Sequence, residues 1–113
     1  MRHPYYILEG HDVRAVDVAT FDAWYSAHPG PQRAVAQDTL PDGRWLSTVF
    51  LGFDHGIGGE PPLVFETMLF RSERDLDDFY CQRYATWDEA AAAHRAILGR
   101  LREGLSPNAD DPA

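Results

Sequence analysis

The chain has 113 residues, of which 44% are apolar and 25% charged, and its formal net charge is −8. This composition predicts one globular domain and argues against extensive disorder and against direct DNA binding, because phosphate recognition needs a basic face. Cys81 is the single cysteine, which excludes an intrachain disulfide and favours a reducing compartment. Because neither a signal-peptide pattern nor a run of about 18 apolar residues occurs, we expect a cytoplasmic protein with no membrane partner.

The N-terminal third predicts two short strands and a helix. Residues 5–9 and 13–18 have the β-branched and aromatic content of strands and are separated by a glycine-containing break. Thr20 is a candidate N-cap of a short helix that ends before the Pro-Gly-Pro at 29–31. Aromatic residues at i, i+3 and i+4 give this helix one inward face: Phe21, Trp24 and Tyr25.

The middle of the chain predicts an antiparallel hairpin and a further strand. Residues 33–39 and 44–53 flank a Leu-Pro-Asp-Gly sequence at 40–43, which is typical of a reversing turn. Residues 63–70 predict the next strand, and both later strands are apolar on both faces. A sheet with two apolar faces needs a covering layer on each face. The two modest helices predicted here cover only one of them. We therefore expect the second face to be a homodimer interface.

The C-terminal part predicts one clear helix. Residues 72–79 are charged and predict a turn of helix with Leu76 and Phe79 facing inward. The sequence Thr-Trp-Asp-Glu at 86–89 fits a capping box, and apolar residues at helical spacing follow it to about Glu103. Residues 106–113 contain nothing apolar enough to anchor them and predict a disordered tail.

Together these patterns predict an α+β fold. We expect an antiparallel sheet of four to five strands, a short N-terminal helix, and a longer C-terminal helix packed on one sheet face. Residues 1–105 form the single domain of this prediction, and 106–113 form the tail.

The loop between the two apolar strands is the candidate ligand-binding site. Residues 54–62 hold three Gly and two Pro, which allow unusual backbone dihedrals and a close approach to a ligand. The side chains and backbone of Asp54, His55 and Gly56 are the predicted contacts. The ordinary alternative is a glycine-rich hairpin connection with a polar tip, although long loops are more often functional.

Three further residues complete the predicted ligand set: His11, Glu66 and His94. Strand alternation places Glu66 on a face that ought to be buried, so it needs a partner. A ligand could supply one, and the structural alternative is pairing with Arg71, Arg83 or Arg95. The structural alternatives are a turn residue for His11 and a hydrogen-bonded residue at the rim of a helix-sheet core for His94. The spacing matches no metal motif, so we predict no metal and no cofactor.

Three sequence blocks carry a family resemblance. Residues 47–55, 62–70 and 83–94 resemble the STVFLGLDH, PPLLFETMVF and RYxTxxEAxxGH blocks of a family of small uncharacterised proteins found in phages, prophages and bacterial genomes. The likeness extends from residue 5 to about 98. Phe53 replaces the usual Leu, and Ala93 stands where the family tends to have Gly. The resemblance implies a mobile-element context, which for a phage-encoded copy means the host cytoplasm.

From this context we expect an accessory protein that acts by binding, without catalysis. Its partner would be a host or virion protein or a small polar or nucleotide-like ligand, and the chain would self-associate as a homo-oligomer. The alternative is a small metal-dependent or acid/base hydrolase that uses His55, Glu66 and His94, with Asp54 orienting His55.

Overall fold

The computed structural model describes residues 5–54, 61–74 and 78–108, except for the side chains of residues 78 and 79. These ranges have the predicted α+β fold, with an antiparallel sheet and a longer C-terminal helix packed on one face. The strands form one four-stranded sheet in the order β3-β4-β5-β6 and a separate two-stranded sheet, β1-β2. In chain order the elements are β1 (Tyr5–Glu9), β2 (Asp12–Val16), α1 (Val18–Ala27), a 3₁₀ turn (Gly30–Arg33), β3 (Ala34–Thr39), β4 (Trp45–Phe50), β5 (Phe65–Phe70), β6 (Asp78–Tyr84) and α2 (Trp87–Arg102).

The first helix begins earlier than predicted. Its N-cap is Asp17, whose carboxylate accepts a hydrogen bond from the Thr20 amide at 2.8 Å, so Thr20 lies inside the helix. Both residue types cap helices well, and the choice of Asp17 satisfies an amide of the first turn. Phe21 is buried as predicted, against β1 and β2.

The predicted hairpin is confirmed, with β3 and β4 joined by a reversing turn at 40–43. The Leu40 amide donates to the Arg44 carbonyl at 2.8 Å, and Gly43 has φ 96°, a conformation that favours glycine. The Asp42 side chain accepts hydrogen bonds from the Arg44 amide and side chain. These bonds lower the pKa of Asp42 below its usual value.

The predicted helical turn at 72–79 is wrong at the residues that the structure describes, 72–74 and 78–79. Residues 71–74 are bends, and β6 begins at Asp78. Leu76 lies outside the described residues, and Phe79 is described only by its backbone. Charge density in 72–78 suggested a helix, but β6 pairs with β5 from Phe65↔Tyr84 to Phe70↔Asp78. This long-range pairing outweighs the local preference.

The two faces of the four-stranded sheet differ in their cover. One face packs against α2 through two apolar clusters, which include Leu46, Leu69, Ile97, Leu98 and Leu101 in one and Phe50, Phe65 and Ala90 in the other. On the opposite face, which we call the open face, Trp45, Val49, Met68 and Phe70 are only partly buried. Within the described ranges no α-helix packs on the open face. None of the described helices is long and apolar enough to cross a bilayer.

The strand predicted for 44–53 leaves the four-stranded sheet after Phe50. Gly52 has φ 81°, and its carbonyl accepts a hydrogen bond from the Tyr6 amide at 2.9 Å. Phe53 then forms an isolated bridge with Tyr5. The bend thereby joins the two sheets and fixes the start of the loop that follows β4.

Candidate functional site

A groove of about 400 Å³ runs along the open face. Its volume falls within the usual range of small-molecule pockets, about 300–1,000 Å³. Side chains of β3, β4 and β5 form its floor, and the start of the 3₁₀ turn forms one side. The lining residues are Gly30, Pro31, Gln37, Trp45, Ser47, Val49, Glu66, Met68 and Phe70.

Strand register orders these side chains into rows across the sheet. Trp45 lies opposite Phe70, Ser47 opposite Met68, and Val49 opposite Glu66. Paired residues of neighbouring strands point to the same face, so the rows follow one another along the groove. The result is an apolar channel with an aromatic row at one end and a carboxylate at the other.

Two contacts between described side chains organise the middle and the aromatic end of the groove. The Trp45 and Phe70 rings stack with centroids 5.4 Å apart. In the next row Gln37 Nε2 donates to Ser47 Oγ at 2.9 Å. Among the described lining residues, Glu66 is the only one that carries a formal charge.

Glu66 is 6% exposed and is paired with Arg83. Its Oε2 accepts a hydrogen bond from Arg83 Nε at 2.9 Å, and Cys81 Sγ lies 3.5 Å from the same oxygen. One of the three predicted arginine pairings is thereby confirmed. The second oxygen, Oε1, has no hydrogen bond to any described residue. Since Glu66 lines the groove, this oxygen is the acceptor that a ligand in the groove would find.

His94 lies on the other face of the sheet, beneath α2, and is 2% exposed. Its Nε2 lies 2.8 Å from Asp38 Oδ2, and its Nδ1 lies 2.7 Å from Thr48 Oγ1. The Thr48 hydroxyl in turn lies 2.5 Å from that of Thr67. Because an ionised carboxylate only accepts, Nε2 donates to Asp38, and Nδ1 of a neutral ring then accepts from Thr48. Both ring nitrogens are engaged.

The Asp38-His94-Thr48 chain has the order of groups used in hydrolytic triads, but a substrate cannot reach it. Thr48 and Thr67 are fully buried, whereas a nucleophile must face a cavity. A satisfied polar network of this kind instead fixes the position of α2 on the sheet.

The residues of the hydrolase alternative do not form one site. Glu66 pairs with Val49 and faces the groove, while His94 contacts Thr48 on the opposite face. His55 and Gly56 lie outside the described residues. General acid/base chemistry shared by Glu66 and His94 is therefore without geometric support.

Neither Asp54 nor His11 is among the described residues that line the groove. Asp54 Oδ1 accepts a hydrogen bond from the Leu63 amide at 3.0 Å, which ties the two ends of the loop together. His11 stacks on Trp87, with ring centroids 3.8 Å apart and planes within 8°. Both rings line a separate, more polar cavity of about 350 Å³ beside the start of α2.

Two tyrosines on β6 have shifted titration behaviour. Burial raises the pKa of Tyr80, and the neighbouring Cys81 adds to this effect. Burial also raises the pKa of Tyr84, and the nearby Thr67 side chain offsets part of that rise. Both residues pair with β5 residues of the helix-covered face, so neither contributes to the groove.

Metal ligands do not gather in the part of the chain that the structure describes: there, no three His, Cys, Asp or Glu side chains lie close enough to hold an ion. The Cys81 and Glu66 contact supplies only two such groups.

Sequence reasoning found Glu66 and His94 but missed the surroundings that separate them. The two apolar faces of β4 and β5 did indicate an uncovered surface, and the groove lies on it. The missed partner of His94, Asp38, lies 56 positions away along the chain. Only the pairing of β3 with β4 brings it into reach.

Comparisons of the chain with protein-family models, with curated proteins and with solved structures give no match.

Proposed function

We propose that this protein acts by binding, without catalysis, and that the groove on the open face holds a small ligand with an apolar body. The observation that supports this proposal is the continuous row of partly buried Trp45, Val49, Met68 and Phe70 side chains around about 400 Å³ of space. Burying such walls releases about 25 cal/mol for each Å² of apolar surface. A few rows of side chains are therefore enough for a specific small-molecule site.

A nucleotide is a poorer fit than an apolar ligand. No Lys or Arg is among the described residues that line the groove, and phosphate recognition relies on such groups or on backbone amides at a helix start. The chain's net charge of −8 would also repel a phosphate. The sequence blocks support a phage or prophage accessory role for this binding activity.

A neutral apolar probe tests the proposal. We expect 4-phenylbenzyl alcohol to bind the wild-type protein, measured by isothermal titration calorimetry. Met68→Glu should abolish the binding because it places a charge in the middle of the groove. Val18→Glu is the matched control, because Val18 is an exposed apolar residue on α1. Binding that survives Met68→Glu, or that is lost equally in both variants, would refute the groove as the site.

Self-association through the same face is a second candidate function. It is favoured because the open face carries partly buried apolar side chains, Trp45, Val49, Met68 and Phe70, and homodimer interfaces are apolar surfaces of this kind. Light scattering at micromolar concentration would give a dimer mass for the wild type and a monomer mass for Met68→Glu. A monomer in both cases would eliminate this candidate and leave the ligand-binding proposal standing.

A further inference from the structure

We propose that the ligand of this groove is an organic cation, a protonated amine at the end of an elongated apolar body, and that Glu66 is the residue that recognises the amine. This inference rests on the proposed function, since it specifies the ligand of the same groove. It follows from the carboxylate oxygen Oε1 of Glu66, which has no hydrogen bond to a described residue and belongs to the only charged side chain among the described lining residues.

The Glu66 carboxylate is the first part of the evidence. Arg83 and Cys81 both contact Oε2, while Oε1 has no hydrogen bond to a described residue. Of the buried side-chain oxygen and nitrogen atoms that are described, only the Tyr84 hydroxyl lacks a partner. Oε1 is therefore open to the groove and not sealed within the protein. An open carboxylate oxygen accepts hydrogen bonds and cannot donate, so it selects donors.

Burial of Glu66 strengthens its preference for hydrogen-bond donors. Glu66 is 6% exposed, and a hydrogen bond to an ionised group in such surroundings is stronger than one in water. The Arg83 side chain is 37% exposed and already occupies the other oxygen. Arg83 thus holds the carboxylate in place, and its charge lowers the attraction for a second cation. Glu66 should therefore raise the affinity of the groove for an amine, and the charge of Arg83 should lower it.

The apolar walls set the shape of the ligand. Glu66 and Phe70 are on β5 with Met68 between them, and four residues of a strand span about 13 Å. An ammonium group at Glu66 would leave the rest of the molecule lying across Met68 toward the Trp45 and Phe70 rings. Two joined aromatic rings or a chain of similar length would fill that distance.

The overall charge of the protein also favours a cationic ligand. A net charge of −8 raises the local concentration of cations around the chain and disfavours anions. A carboxylate ligand would meet Glu66 at one end of the groove and the general repulsion of the molecule everywhere else. Charge complementarity thus favours a cation over an anion of the same shape.

Three probes of one shape and different charge test the inference. By calorimetry at low salt, we expect 4-phenylbenzylamine to bind the wild-type protein about tenfold more tightly than 4-phenylbenzyl alcohol, since the ammonium group adds a charge–charge attraction to its hydrogen bond with Glu66 and the hydroxyl does not. We expect 4-phenylbenzoate to bind most weakly. Equal affinity for amine and alcohol would overturn the cation inference and leave the groove proposal intact. Failure of all three probes to bind would overturn both.

Two variants separate recognition by Glu66 from a purely structural role. Glu66→Gln should remove the preference for the amine while leaving the affinity for the alcohol within about twofold. Arg83→Gln should instead increase the affinity for the amine, because it removes the competing charge. Glu9→Gln, an exposed carboxylate paired with Arg14, is the control for net charge and should change neither affinity. If Glu66→Gln and Arg83→Gln weaken all probes alike, the pair is only structural and the inference fails.

Discussion

Two buried polar side chains, Glu66 and His94, show how strand alternation separates residues that are close in the fold. Both nitrogens of His94 have partners inside the core, in Asp38 and Thr48. Glu66, on the other face, keeps one carboxylate oxygen for the groove. The first residue therefore stabilises the fold, and the second is available to a ligand. Sequence reasoning treated the two as equivalent candidates because face and partner depend on register.

The structural role of His94 predicts a large cost for removing its hydroxyl partner. Thr48→Val keeps the side-chain shape but leaves Nδ1 of His94 without a donor, and should lower the free energy of unfolding by about 1–3 kcal/mol. Thr39→Val, at an exposed hydroxyl that donates to Glu73, should change it by at most about 0.5 kcal/mol. Urea unfolding followed by circular dichroism measures both. Equal losses of unfolding free energy in the two variants would show that the buried hydrogen bond to His94 stabilises the protein no more than the exposed one to Glu73.

The raised pKa of Tyr84 predicts a loss of stability in alkali. The folded protein holds Tyr84 neutral above the pH at which the unfolded chain ionises, near 10. Its contribution is therefore complete below about pH 10 and is lost as the pH rises toward the folded pKa. Tyr84→Phe should show a smaller fall in urea midpoint between about pH 8 and about pH 10.5 than the wild type does. An identical fall in both proteins would contradict the assignment to Tyr84.

At the scale of elements, the connection after β4 joins the two sheets, and Gly52 lies at its bend. A Cβ on Gly52 would lie 2.5 Å from the Phe21 ring of α1, and the residue has φ 81°. Close packing and backbone conformation therefore both require glycine at this position. The Gly52 carbonyl also accepts the hydrogen bond from β1, so the position sets how the β1-β2 hairpin meets the larger sheet.

Substitution of glycine by alanine tests this role with an internal control. Gly52→Ala should lower the free energy of unfolding by at least about 2 kcal/mol, because it adds both strain and a clash. Gly99→Ala, in α2 where a Cβ meets nothing within 4 Å, should raise it by up to about 1 kcal/mol. Thermal unfolding of the two variants gives the comparison. A neutral Gly52→Ala would mean that the bend adapts without cost.

Elements with local signals were the predictable ones. The turn at 40–43 contains Pro-Asp-Gly, and the capping box places Thr86 and Glu89 in mutual hydrogen bonds, with the Glu89 amide donating to Thr86 Oγ1 at 3.1 Å. Strand β6 was missed because its evidence is its pairing with β5, which is not local. Of the predicted tail, Ser106 and Asn108 have carbonyls that accept hydrogen bonds from Arg100.

At the scale of the whole molecule, the described residues place α2 on one face of the four-stranded sheet and no α-helix on the other. A single longer helix covers one face of the four-stranded sheet, while the apolar open face keeps a groove of about 400 Å³. The sequence predicted two apolar faces from alternation alone. It did not predict the groove, whose depth depends on the 3₁₀ turn that places Gly30 and Pro31 beside β4 and β5.

Nuclear magnetic resonance of labelled protein titrated with 4-phenylbenzyl alcohol tests the open face as the binding surface most directly. The account predicts that amide and methyl shifts concentrate on Gln37, Trp45, Val49, Met68 and Phe70, with contacts from the probe to the Met68 methyl. Shifts that concentrate instead on the cavity beside α2, at Tyr80, Ala93 and Ile97, or on His11 and Trp87, would contradict it.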